Sequence, residues 1–293
     1  MVLTWNVWFE THMEFDLRLK SLISQLLAAS PCVAGLQEVT PRFADAVRAS
    51  QVLTSLYVVS PNEITSYGCL LLVRRDFQVS WREQPLPSDM GRTLLVAECA
   101  ASPCRPAFAV GTVHLESLNS SSQRRKQLAV CYRTLRGYHA ACLCGDMNFD
   151  SSQAWGDWRR SVPTPDRDLE NHVLSRELPG YVDCWPVLHP DEPGYTFDGQ
   201  TNSQCIADPK ERMRYDRILT SGAFSPHHIE LIGLEDVQPE DEAFLPGLKA
   251  SDHYGLAGEL ELQAPSDSPA QATPPERTIS SLLWGFLSSS SRG

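Results

Sequence analysis

A run of small and apolar residues, Ala140 to Cys144, gives way to Gly145-Asp146-Met147-Asn148-Phe149-Asp150, and this stretch constrains the chain more than any other. A short apolar run bounded by turn residues predicts a buried strand of a layered protein, and where that strand frays, alternation points Asp146 and Asn148 to one side. A strand end holds such groups rigidly. There Asp146 can take a proton from water or hold a metal ion, and Asn148 can donate to a phosphoryl oxygen without adding charge. Taken alone, Gly-Asp-Met-Asn after a strand is more often an ordinary turn. Its meaning depends on whether the other parts of a phosphodiester site occur elsewhere, in a sensible order.

Along the chain, similar polar residues close other short apolar runs. Val2 to Val7 predicts a strand with Asn6 near its end. Leu19, Leu22, Ile23, Leu26 and Leu27 fall at helical spacing within Glu14 to Ser30, which predicts an amphipathic helix. Cys32 to Leu36 reads as a buried strand ending in Gln37-Glu38-Val39, and Thr40-Pro41 as the N-cap and first-turn proline of a second helix. Further strands are expected at Ser55 to Val59, Gly68 to Arg75, Thr93 to Glu98 and Ala107 to His114. Their hairpin-like succession predicts antiparallel pairing. His114-Leu115-Glu116-Ser117 precedes a basic amphipathic helix, Ser120 to Gly137. Later, Arg214 to Thr220 predicts a strand with Asp216 inside it, where an unpaired acid would be costly. Ser251-Asp252-His253 opens a last strand ending near Leu262.

Composition narrows the class. No apolar run approaches the ~20 residues of a spanning helix, and the N-terminus lacks a basic region followed by an apolar stretch. The expectation is a chain with no membrane partner, in the nucleus or the cytoplasm. Nine cysteines without a Cys-x-x-Cys pair read as reduced core thiols rather than zinc ligands. A net charge of −11 argues against loose binding along duplex DNA, though not against a site that grips one phosphate through a metal and a few arginines. From Gln263 onward Pro, Ser, Ala and Thr predominate. This predicts one domain over residues 1–262 and a disordered tail over 263–293, whose Leu282 to Leu287 patch is read as undefined.

In order, the candidates are Asn6, Glu38, His114, Asp146, Asn148, Asp216, Asp252 and His253. Each is ambiguous alone: a solvated acid, a structural histidine, a turn. Together they specify a divalent-metal phosphoesterase. Hard carboxylate oxygens suit Mg²⁺ or Mn²⁺, which polarise a phosphoryl group while a base prepares water for in-line attack.

The order of Thr4-Trp5-Asn6, Leu36-Gln37-Glu38-Val39, Gly145-Asp146-Met147-Asn148, Tyr215-Asp216-Arg217 and Ser251-Asp252-His253 resembles the endonuclease/exonuclease/phosphatase (DNase I-like) family. Its fold is a four-layered α/β/β/α sandwich of two mostly antiparallel sheets flanked by helices. Within the family the chain looks most like the 5′-tyrosyl-DNA phosphodiesterases. That narrower resemblance rests on Gln37 to Pro41, Arg92-Thr93-Leu94-Leu95, His114 to Ser117 with Arg124 and Gln127-Leu128, Tyr195-Thr196-Phe197 and Arg214 to Ile218, and covers about Leu3 to Leu262.

The resemblance implies that Glu38 anchors Mg²⁺ (or Mn²⁺) with Asn6 nearby and Asp252 in support. It implies that Asp146 positions or deprotonates water. His253, oriented by Asp216, would stabilise the phosphorane with Asn148, while His114 and Ser117 hold phosphate oxygens. Arg92, Arg124, Phe197 and Arg214 are expected to bind substrate. The implied activity is hydrolysis of a 5′-phosphotyrosyl bond joining DNA or RNA ends to a trapped protein such as a topoisomerase, by a monomer acting in DNA repair. Readings kept open are an abasic-site endonuclease, a deadenylase, a phosphoinositide or sphingomyelin hydrolase, and an inactive member that only binds. Two departures stand out. Phe197 replaces a tryptophan common in the family but still offers a stacking face, and Asp150 stands where arginine is common and would repel a nearby phosphate. With a strand starting at Val2, the ubiquitin-binding module of some relatives is expected to be missing.

Overall fold

The computed structural model describes residues 1–205, 208–237 and 247–263; the predicted tail beyond 263, its Leu282 to Leu287 patch included, lies outside the described residues. In chain order the first half contains β1 (Val2–Asn6), α1 (Phe15–Ala29), β2 (Val33–Val39), α2 (Pro41–Ala49), α3 (Gln51–Leu56), β3 (Tyr57–Val59), β4 (Gly68–Arg74), β5 (Val79–Pro85), β6 (Thr93–Cys99) and β7 (Phe108–His114). The second half contains α4 (Ser121–Leu135), β8 (Ala140–Asp146), α5 (Val173–Glu177), β9 (Val182–Asp183), α6 (Cys184–Leu188), β10 (Phe197–Asp198), β11 (Arg212–Met213), β12 (Asp216–Gly222), β13 (Phe224–Ile232) and β14 (Gly255–Leu262).

Two six-stranded sheets, ordered β13-β14-β1-β2-β4-β3 and β5-β6-β7-β8-β12-β9, form the inner layers. Alternation along each central strand divides its side chains between two cores. On β2, Ala34 and Leu36 meet Leu22, Leu26, Phe43 and Val47 of α1 and α2, whereas Val33 turns inward to a core with Val110, Cys142 and Ile218 of the opposite sheet. The outer face of the second sheet buries Val96, Ala109 and Leu143 under Leu128, Cys131 and Leu135 of α4. The result is the α/β/β/α sandwich, and it explains why β2, β7 and β8 are apolar almost throughout: both faces are covered.

Gly35 lies where the two sheets approach closely, since a Cβ there would lie 2.7 Å from Thr112 Oγ1. Beside it Gln37 Nε2 donates to Thr112 Oγ1 at 2.7 Å, tying the two sheets together beneath the site. Seven of the nine unpaired cysteines are buried, as core thiols. Among the described residues no helix is long and apolar enough to cross a membrane.

Several boundaries differ from expectation. Ser55 and Leu56 belong to a helix capped by Ser50, whose Oγ accepts from Leu53 N at 3.3 Å, so the strand begins only at Tyr57. The edge strands β5 and β13 escape the sequence reading because their exposed outer faces break the apolar pattern. Pairing is mostly antiparallel, but β1 with β2 and β7 with β8 run parallel. Each of these parallel pairs is joined by a helical crossover (α1, α4), as parallel strands require.

Candidate active site

The end of β8 is the centre of the site. Parallel pairing sets His114 beside Asp146 and antiparallel pairing sets Asp216 beside it on the other flank, so three polar residues share one row of the second sheet. Just before this row, Gly145 has φ +138°, and a Cβ there would lie 1.9 Å from the Val113 carbonyl oxygen. Only glycine fits. Gly145→Ala must therefore shift backbone rather than a side chain, and is expected to destabilise the fold by at least about 2 kcal/mol, which chemical denaturation would measure.

The first sheet faces this row with Asn6, at the end of β1, and with Glu38. Between Leu36 and Val39 the β2–β4 register slips, and Glu38 takes a left-handed φ of 56°. Such an irregularity re-aims a side chain. The Glu38 carboxylate accepts from Phe9 N at 3.1 Å, and its other oxygen lies 3.8 Å from His114 Nε2. Asp146 Oδ1 accepts from Asn148 N at 2.8 Å, and Oδ2 accepts from Asn6 Nδ2 at 3.0 Å and lies 3.4 Å from His114 Nε2.

His253, just before β14, pairs its Nδ1 with Asp216 Oδ2 at 2.7 Å. Three elements hold it: Trp5 Nε1 donates to its carbonyl, Ser251 Oγ accepts from its N–H and itself donates to Asn6 O, and the edge of its ring meets Phe197 at 5.1 Å. Burial by itself would depress the imidazole pKa. The charge and hydrogen bond of Asp216, with Asp252 and Asp146, overcome it and raise the pKa well above the usual value. His114 goes the other way. Burial and the Arg92 guanidinium hold it down to about 3, and Arg92 donates to its Nδ1 at 3.0 Å. This histidine is neutral, with Nε2 facing the carboxylates. Arg92 also donates to Ser117 Oγ at 2.9 Å and lies 5.2 Å from the centre of the Tyr67 ring.

The carboxylates suit a hard divalent cation. Burial raises the pKa of Glu38 and pushes Asp252 up to about 7; Asp146 adds to both, and Glu38 to that of Asp252. Buried carboxylates that are costly to charge suit a hard divalent cation such as Mg²⁺ or Mn²⁺. Asp146, Asp216 and His253 also offer ligand atoms within 4.8 Å of one another. In that trio, however, the 2.7 Å contact of Asp216 with His253 leaves room for a proton rather than a cation.

Several expected roles need correction. Asn6 turns its amide nitrogen, not its oxygen, to the acids, because Trp8 N donates to its Oδ1 at 3.0 Å and an N–H must meet the oxygen. It orients Asp146 rather than ligating. Arg124 is fully buried and gives Nε and Nη2 to the Glu170 carboxylate at 2.6 Å and Nη1 to the carbonyls of Glu116 and Leu118. Arg214 is likewise spent on Asp183, at 3.0 and 2.8 Å. Both guanidinium groups are committed to partners within the chain. Asp150 is buried and accepts from Ser152 N, Gln153 N and Arg214 N, so it anchors its own loop instead of facing out of it. Phe197 is only 7% exposed, wedged between Tyr215 and His253, and positions the histidine instead of offering a stacking face. Asn148 gives one N–H to Leu115 O at 3.0 Å, leaving its second for a ligand.

Tyr67, Trp5 and Ser251 escaped the sequence reading as site residues, and Ser251, within Ser-Asp-His, had the clearest signal. On this geometry Arg124→Ala should lower stability by about 3–5 kcal/mol by stranding Glu170, while the KM of the folded fraction stays unchanged. A denaturation curve beside steady-state kinetics checks both.

The sequence model described as Endonuclease/Exonuclease/phosphatase family matches residues 3–253. Tyrosyl-DNA phosphodiesterase 2 of Danio rerio is 26% identical over 269 residues, covering 87% of this chain and 65% of that protein. The chain therefore spans just under two thirds of that relative's length. The Homo sapiens protein of the same name is 24% identical over 89% of this chain and 68% of its own length. The crystal structure of D. rerio TDP2 complexed with single-strand DNA product is similar with a TM-score of 0.72 at 25% identity, covering 89% of this chain and 98% of that one.

Proposed function

This chain belongs to the endonuclease/exonuclease/phosphatase family, and on that premise we propose that it is a Mg²⁺- or Mn²⁺-dependent phosphodiesterase of DNA repair that hydrolyses 5′-phosphotyrosyl bonds. The observation that carries the reading is the row His114–Asp146–Asp216, with His253 bonded to Asp216 and Glu38 facing His114. Relatives named tyrosyl-DNA phosphodiesterase 2 support the substrate class.

In this reading Glu38 and Asp252 hold the cation, and Asn6 keeps Asp146 aimed. When bound, the ion supplies charge at the phosphoryl oxygens and the leaving oxygen. Asp146 receives the proton of the attacking water. His253, charged at neutral pH through Asp216, and the free N–H of Asn148 donate to the oxygens on which charge builds. His114, neutral and braced by Arg92, presents an N–H without adding charge, and Ser117 extends the same rim. A phenolate of pKa ~10 leaves without a dedicated acid. The substrate is a DNA or RNA 5′ end carrying a tyrosine adduct, and the protein acts as a monomer in the nucleus or cytoplasm. An inactive binding member is disfavoured because costly buried acids are kept in register with a histidine dyad.

The test is turnover of a 5′-phosphotyrosyl oligonucleotide with Mg²⁺ and with EDTA, beside an abasic-site duplex, a poly(A) strand and a phosphoinositide. Cleavage of any of the last three, with the first untouched, overturns the substrate assignment.

A further inference from the structure

The chain carries 36 acidic against 25 basic residues, yet one open cleft is lined by more arginines than acids. A cavity of about 670 Å³ opens between the start of α4, the loop after β8 and the segment leading into α5. Its walls hold Arg125, Arg160, Arg167 and Arg176 against only Asp168 and Glu170. Glu170 is already neutralised by the buried Arg124. The lining arginines are exposed and loosely held: Arg160 lies 3.4 Å from Asp157 and Arg167 3.6 Å from Asp168, while Arg176 pairs with no described acid. Arg125 is the exception, at 2.6 Å from Glu177. In the Arg160 and Arg167 pairs the arginine side is exposed, and single long contacts of this kind hold a guanidinium weakly.

The cleft also contains an aromatic ring. Trp155 lines it and is braced edge-on by Trp158, with ring centres 5.7 Å apart at 81°. Arginines beside an available indole are the pairing that follows a single nucleic-acid strand, charge to phosphate and ring to base.

Position supplies the rest. The two loops that form the mouth of the cleft are those that leave the catalytic row. Asn119 lies two residues beyond Ser117, within about 7 Å of extended chain, and Ala154 and Trp155 follow Asn148 in the loop after β8. Both loops thus lead from the positions of His114 and Asn148 towards this cleft.

We propose that the cleft is the track for single-stranded nucleic acid leading away from the scissile phosphate, with Arg160 and Arg176 binding strand phosphates and Trp155 stacking a base. This rests on the phosphodiesterase reading above, but its test does not require turnover. The full chain is titrated with a 3′-labelled, 5′-phosphorylated single-stranded 12-mer in fluorescence anisotropy across a salt series. Arg160→Ala with Arg176→Ala should weaken binding about tenfold or more at low salt and reduce the slope of log K against log salt by about 1.4, the loss of two single-strand phosphate contacts. Trp155→Ala should weaken binding of the 12-mer about tenfold while leaving that of an abasic 12-mer unchanged. Thermal melts confirm that the variants are folded.

Wild-type affinity and slope in the double arginine variant overturn the proposal. So does an equal loss towards polyglutamate, which would mark a general anion surface, or failure of the wild-type chain to bind the 12-mer. Failure of the phosphotyrosyl assay with normal 12-mer binding would instead remove the substrate assignment and leave the track standing.

Discussion

Replacing Glu38 by Ala is expected to lower metal-dependent turnover by about a thousandfold, because the variant loses the acid proposed to anchor the ion, and with it several kcal/mol of transition-state stabilisation. The fold should survive. Glu38 touches Phe9 N and lies near His114 but belongs to none of the apolar cores, and its backbone is held at a φ of 56°. Stability should respond in a direction that marks its role. Folding raises the pKa of Glu38 and of Asp252, the latter to about 7, through burial, with repulsion by Asp146 on both and by Glu38 on Asp252.

A carboxyl raised in this way adds stability below its unfolded pKa of about 4, and that contribution is lost as pH rises through the folded value. In EDTA, therefore, the contribution of these two acids declines between about pH 4 and pH 7, and Glu38→Ala should flatten the decline. Mg²⁺ should raise the melting temperature of the wild-type protein at pH 7.5 but not that of the variant. Calorimetric Mg²⁺ binding that is unchanged in Glu38→Ala would remove Glu38 from the ligand set.

His253→Ala should reduce turnover a hundred- to thousandfold, the ~3–4 kcal/mol carried by a charge contact made in the transition state, with little change in Mg²⁺ affinity. Its partner is fixed by geometry: 2.7 Å from Nδ1 to Asp216 Oδ2, both residues buried, with the Asp216 amide donating to Thr196 Oγ1. The charge on the imidazole depends on that carboxylate, since burial alone would suppress it. Asp216→Asn keeps an acceptor for the ring N–H but removes the charge, so His253 should titrate at lower pH. Turnover near neutrality should then fall about ten- to a hundredfold and partly recover as the pH is lowered. A ring that is already lost cannot be lost twice, so the double mutant should be scarcely worse than His253→Ala. Multiplicative losses would show that the two residues act independently.

What could be read without coordinates follows a physical division. Asn6, Glu38, His114, Asp146, Asp216 and His253 stand out because each interrupts or ends an apolar strand, where a polar group needs a partner. The four-layered arrangement was expected from the family resemblance of the motifs, and the coverage of both faces of β2, β7 and β8 accounts for it. The sequence alone therefore determined most of the central strands and the acids and histidines at their ends, but not the edge strands β5 and β13.

Which charge meets which acid was decided only by tertiary structure. Arg124 and Arg214 look like free cations along the chain, but Glu170 and Asp183, 46 and 31 residues away, consume them. Asn6 and Asp252 both look like ligands, and only the Trp8 amide shows that Asn6 presents nitrogen. Phe197 reads as a platform until Tyr215 and His253 close on it. Local sequence sets where a polar side chain emerges from a strand, because alternation and burial act over neighbouring residues. Ion pairs and hydrogen bonds form between groups brought within about 3 Å by register and sheet packing, and no local pattern encodes that distance.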